Sequence, residues 1–246
     1  MRYKVVSGVL LTLLLSGMLT LAFDIQPVKA SRTIYINADG SVDPPTAPIS
    51  SADNITYTLV DNINDSIVVQ RNNIVVDGAG YILQGTGSGK GIDLSYISNV
   101  TITNMKIKAF NYGISLVESL NNIISRNNIV MNTDGIELSE SSNNRIYHNN
   151  FMDNTQQVYI QPYGYSNFWD DGVSEGNYWS DYEDMYPDAE EIDWTSIWDT
   201  PYVIDENNQD NYPLVPEFSS FLILPLFMIA TLLAVIVYKR KYPMYR

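Results

Sequence analysis

The residues that could do chemistry in this chain fall into three groups. Asp93, Glu137 and the only histidine, His148, form the first. A carboxyl pair can cut a glycosidic bond, one partner protonating the leaving oxygen while the other activates water or attacks. A histidine beside such a pair can carry protons. The second group is rich in oxygen: Asp205, Asn207, Gln209 and Asp210, with a further acidic run at Asp188, Glu190, Glu191 and Asp193. Hard cations such as calcium take ligands of this kind, although neither stretch contains the glycine of a tight liganding loop. The third group is aromatic. Trp194 and Trp198 lie among carboxylates, and indole faces stack on pyranose rings while carboxylates hold hydroxyls.

A repeat must position these groups. Gly-Ile recurs at 91–92, 113–114 and 135–136, a spacing of 22 residues each time. In that register Ile92, Ile114, Ile136 and Val158 share a column, as do Leu94, Leu116, Leu138 and Ile160. Ile102, Ile124 and Ile146 share another, and Ile107, Ile129 and Phe151 a third. A fixed period of this size marks a stacked architecture whose units cannot bury an apolar face alone. Apolar and polar residues alternate within each unit, the period of a half-buried strand. The expectation is an all-β chain: a right-handed, single-stranded parallel β-helix of about five coils, rungs about 4.8 Å apart. Asn99, Asn121 and Asn143 form the expected hydrogen-bonded ladder, with Asn127-Asn128 and Asn149-Asn150 at a second corner. Leu116 should reject a charge, whereas outward Ser115 should accept one. Asp93 and Glu137 then occupy one column two rungs apart, about 9.6 Å, the far end of the range for an inverting pair.

The two ends are apolar and the middle is acidic. Arg2 and Lys4 precede an apolar run over 5–23, and Val28-Lys29-Ala30 offers a small-residue cleavage context, so residues 1–30 read as a signal peptide or an uncleaved anchor. Residues 218–238 are long and apolar enough to cross a bilayer and are followed by a basic tail. Residues 31–217 therefore face outward. They hold seven Lys and Arg against 27 Asp and Glu, a net charge of −20. Nucleic acid is disfavoured as a partner, because no basic patch exists to neutralise phosphates. Cysteine is absent, so no disulfide supports the exported portion. Sequons at Asn54, Asn64 and Asn99 permit glycosylation, with Asn54 and Asn64 preferred because Asn99 belongs to the expected ladder.

The expected organisation is an N-terminal cap over 31–65, coils over 66–160, and an acidic aromatic cap over 161–215. All four Trp fall in that last segment. An open β-helix end exposes strand edges and core, so such a segment closes it or holds a ligand. The Gly-Ile, Asn-Asn-Ile and Asn-Asn-Phe pattern resembles the NosD-type family of β-helix repeat proteins. So do Gly176-Asn177-Tyr178-Trp179-Ser180-Asp181-Tyr182 and Thr200-Pro201-Tyr202-Val203-Ile204-Asp205. The resemblance spans about residues 66–215 and implies a periplasmic or surface protein with a carbohydrate-binding, sugar-hydrolase type repeat. Its namesakes are linked to copper delivery. Copper favours Cys, His or Met, and the exterior offers one His and Met105, Met131, Met152 and Met185. The calcium-loop-like stretch common in the family is missing between the two motifs. Val215-Pro216-Glu217-Phe218 resembles a PEF-type sorting signal, which implies an archaeal protein processed by an archaeosortase. The reading is a surface-anchored binding or structural protein with envelope polysaccharide or glycoprotein as partner. The alternatives are a polysaccharide-active enzyme and a metal-handling accessory protein.

Overall fold

The computed structural model describes residues 33–161 and 165–216. The expected signal or anchor helix and the C-terminal sorting and membrane segment lie outside the described residues. Among the described residues, no helix is long and apolar enough to cross a membrane.

Alternating apolar residues produce short strands on three faces of a parallel β-helix. The first face stacks Ile34–Ile36, Ile67–Val69, Lys90–Asp93, Tyr112–Val117, Asp134–Ser139 and Gln156–Ile160. The second runs from Thr56–Leu59 through Val75–Asp77, Thr101–Thr103 and Ile123–Ser125 to Arg145–Tyr147. The third comprises Ile82–Gln84, Lys106–Lys108, Asn128–Val130, Asn150–Met152 and Tyr178–Trp179. Pairing follows the sequence columns: Ile92, Ile114, Ile136 and Val158 are in register, as are Ile102, Ile124 and Ile146. These side chains fill one continuous core along the axis. Glycine recurs before the isoleucines for a steric reason. A Cβ on Gly91 would lie 2.5 Å from the Gly113 carbonyl, and one on Gly113 the same distance from that of Gly135.

The stack extends past both expected boundaries. Ile34–Ile36 pairs in parallel with Ile67–Val69, and Thr56–Leu59 with Val75–Asp77, so coiling begins within the segment expected to be a separate cap. Two antiparallel strands, Val42–Asp43 and Ile49–Ser50, border this first coil. At the other end Phe168 continues the second face and Tyr178–Trp179 the third.

The corners explain the asparagine content and correct the expected ladder. Each bend places one residue in the left-handed region and turns the next one inward. Asn121 (φ 58°), Arg126 (φ 59°) and Met131 (φ 52°) precede Asn122, Asn127 and Asn132, which are buried. Asn99, Asn121 and Asn143 thus hold the exposed left-handed position, which asparagine tolerates well. The ladders run one residue later. Asn122 Oδ1 accepts the Val100 N–H at 2.9 Å, while its Nδ2 donates to the Ile97 carbonyl and to Asn144 Oδ1. Asn144 repeats this with Asn167, and Asn127, Asn149 and Asn177 build a second ladder. Asn132 and Asn154 form a third, shorter one.

Removing one rung orphans several groups at once, each costing about 1–3 kcal/mol when buried. Asn149→Ala should therefore lower the unfolding free energy by roughly 3 kcal/mol or more, whereas Asn143→Gly, at a positive φ, should stay within about 0.5 kcal/mol. Denaturant melts of the two variants check this.

Candidate functional site

The first face carries a polar strip made by two outward columns. Lys90, Tyr112, Asp134 and Gln156 stack in one, and Asp93, Ser115, Glu137 and Tyr159 in the other. Asp93 is held by Lys90 at 3.4 Å and by the Ser95 hydroxyl and N–H. Glu137 accepts a 2.6 Å hydrogen bond from the Ser115 hydroxyl. Ser115 is fully buried despite facing outward, so the expectation that it accepts a charge is corrected: a carboxylate there would lie against Glu137. Burial, and then Glu137, hold the Asp134 carboxyl above the usual range. His148 lies at the corner between the second and third faces, its Nε2 against the Glu175 carboxylate. Asp93, Glu137 and His148 therefore do not converge.

The oxygen-rich stretch forms the hairpin of Tyr202–Asp205 and Asn208–Asp210, and its members divide between two tasks. Asp205 accepts from Asn207 N–H and from the Asn208 amide. Gln209 is exposed and donates to Asn211. Asp210 is fully buried and ends the second ladder, its Oδ2 accepting the Asn177 N–H at 2.7 Å and the Trp179 indole N–H at 3.0 Å. Its Oδ1 accepts the Tyr212 N–H. Asn208, absent from the sequence-derived set, ends the first ladder by accepting from Asn167 N–H and the Trp169 indole. Periodicity could not reveal these terminal rungs, because the spacing lengthens to 41 residues for Asn167–Asn208 and 33 for Asn177–Asp210. Burial pushes the Asp210 carboxyl up to about 7, against the opposing pull of its N–H donors.

The four tryptophans are equally divided in environment. Trp179 stacks between Phe151 and Tyr202, at 4.5 and 4.2 Å, and Trp169 is buried beside it. These two close the core. Trp198 is half-buried and stacks on Tyr182, in the short helical turn Tyr182–Met185, at 5.0 Å. It lines a depression of about 190 Å³ with Tyr178, Glu183 and Asp184. Trp194 is 98% exposed at a loop with φ 62°. Trp194 and Trp198 make no ring contact, so they do not form a common platform.

A larger groove, about 390 Å³, lies along the corner between the second and third faces. Its walls come from Asp77, Ala79, Gly80, Asn104, Lys106, Arg126 and Asn128, with Met105 beneath. The corner at residues 78–81 has four residues where the next three coils use two, and this longer bend stands as a ledge at one end. Of the residues that the sequence singled out for chemistry, only Asp77, an outward acid, and Met105 lie here, and the groove itself arises from one coil's length relative to the next.

A family model described as periplasmic copper-binding protein (NosD) matches residues 49–184. The chain belongs to the NosD family. No curated protein and no solved structure gives a match. The described residues of this NosD-family chain do not fit a copper centre. His148 faces Glu175, Met105 is buried in the core, Met131 is exposed at a coil corner beside half-buried Met152 with no His or Cys beside them, Met185 is exposed in the cap, and no cysteine exists. Among the described residues, no three His, Cys, Asp or Glu side chains gather as a metal-binding set.

Two outcomes follow from the closure. Trp179→Ala should cost about 3–5 kcal/mol in a denaturant melt, while Trp194→Ala should change stability by less than about 0.5 kcal/mol. Asp210 is protonated more readily in the folded chain than at its ordinary value of 3.8. Its contribution to stability is therefore full below pH 3.8, falls as pH rises toward about 7, and is flat beyond. The stability difference between the wild type and Asp210→Asn, measured from pH 4 to 8 (about that window), should shrink with pH and then level off.

Proposed function

We propose that this NosD-family chain is an exported, surface-held β-helix that binds saccharide of the cell envelope. The observation that carries this reading is the groove at the second corner. There, polar side chains from successive rungs, about 4.8 Å apart, line an open channel on a rigid stack, with Lys106 opposite Asn128 and Asn104 at the corner before Lys106. Asn104 and Asn128 present planar amides suited to hydroxyl pairs, and the open shape admits a polymer. Exposed Trp194 adds a stacking face, and Trp198 lines the separate depression in the cap.

In this reading the apolar termini deliver and hold the protein at the membrane. An archaeosortase is the partner for the PEF-type segment, and Asn54 and Asn64, both exposed, are the glycosylated positions. Calcium at Asp205, Asn207 and Gln209 belongs to the proposal only as an outer-surface ion, since the Asp210 oxygens are engaged in the core. Polysaccharide cleavage is the alternative; Asp93 and Glu137 are its residues, each committed to a separate local partner. A copper-handling role rests on the family's description alone.

The intact purified protein, applied to a glycan panel that includes envelope polysaccharides of its own host, should retain at least one polymer without shortening it. Release of smaller products would favour the enzyme reading. Retention of none would reject saccharide binding.

A further inference from the structure

The geometry points to a carboxylate-bearing saccharide as the ligand of the second-corner groove, its acid group held between Lys106 and Arg126. This inference rests on the saccharide-binding reading and narrows it to a chemical class. The whole exterior is acidic, with 27 Asp and Glu against seven Lys and Arg over residues 31–217. Two of those seven basic side chains line this one groove. They come from successive coils: Lys106 opens a third-face strand, and Arg126 precedes the next one at the left-handed corner position. Neither is in an ion pair among the described residues, whereas Lys90 has Asp93.

The single acid of the groove offsets one of them and leaves a net positive charge. Asp77 is occupied along its Oδ1 by the Ala79 N–H at 2.9 Å and the Asn104 amide at 3.1 Å. Asn128 Oδ1 accepts from Asn150 at 2.7 Å, and its own amide hydrogens have no acceptor among the described residues. The groove thus offers two cations, one carboxylate and the amides of Asn104 and Asn128 above a thioether floor. Its volume of about 390 Å³ falls within the range of small-ligand sites. A neutral sugar would leave the groove's net positive charge without a counter-charge. A free carboxylate would leave the two amides unused. A uronic acid unit satisfies both, and the rung spacing lets further units follow along the axis. Ala79 and Gly80 close one end, so the chain enters from the side of His148 and Tyr178.

The test is calorimetric titration of the intact protein with a short oligogalacturonide, a neutral oligogalactoside of equal length, and acetate. Binding should be found for the oligogalacturonide and should weaken as salt is raised. Lys106→Gln and Arg126→Gln should each weaken it by roughly tenfold or more, the loss of one charge-assisted hydrogen bond. Lys108→Gln, on the same strand outside the groove, should bind as the wild type does. Unchanged melting temperatures establish that the variants fold. Equal binding of the neutral oligomer, persisting in the Lys106→Gln, Arg126→Gln double variant, would overturn this assignment and leave saccharide binding intact. Acetate binding as tightly as the oligogalacturonide would replace it with a simple anion site. An acidic peptide that outcompetes the oligogalacturonide would overturn the saccharide class. Absence of binding by every probe would reject this inference, and the reading on which it rests would fall only if the glycan panel also retained nothing.

Discussion

The structure depends on how the backbone is satisfied where the chain turns inward three times per coil. A bend in a β-helix directs amide N–H and carbonyl groups toward an apolar core, and an orphaned group there is costly. An inward asparagine answers this with one side chain: its oxygen accepts from the coil before, while its amide donates back to that coil's corner carbonyl and on to the next rung. The isoleucine stacks then pack at a spacing that the ladders hold constant. Val100, Met105 and Phe110 occupy the ladder columns one coil earlier, and their N–H groups are received by the first asparagines.

A ladder of this kind has a direction, so it needs a particular terminus. Every rung passes its donors onward, and the last residue must receive without passing on. Asp210 fills such a place, its two oxygens accepting N–H groups from Asn177, Trp179 and Tyr212, so the last rung is received by a side chain with no amide to pass on. Asn208 does the equivalent for the neighbouring ladder and hands its spare donors to Asp205. Each terminal rung also takes an indole N–H, from Trp179 or Trp169. Polar termination and apolar closure are thereby one arrangement, and the acidic aromatic segment is bound to the stack through its interior.

The outward residues are free of these demands, and function is expected there. The left-handed corner position points to solvent and accepts Asn, Arg or His in successive coils, at Asn104, Arg126 and His148. Membership of the NosD family accounts for the scaffold over residues 49–184, most of the coils but not the terminal hairpin. A scaffold shared by a family does not choose a ligand. The choice lies with the side chains at corners and on outward columns, where a substitution leaves the core untouched.

The 22-residue period by itself determined that the chain stacks, which residues share a column, and which isoleucines line the core. A repeat of apolar residues at even spacing admits no other register. It also showed that Asp93, Ser115 and Glu137 align. It could not tell which of two adjacent asparagines faces inward, since Asn121-Asn122 and Asn143-Asn144 repeat with the same period. The left-handed φ of the first residue settles that. Trp179 and Trp194 are likewise the same residue type in similar surroundings along the chain, and only folding buries one and leaves the other exposed. The terminal rungs, the separation of His148 from the carboxylates and the groove beside Lys106 and Arg126 depend on contacts between segments 20 to 41 residues apart or on the relative length of neighbouring corners. Such contacts leave no local pattern to read, because what fixes them is how coils of unequal length lie against one another.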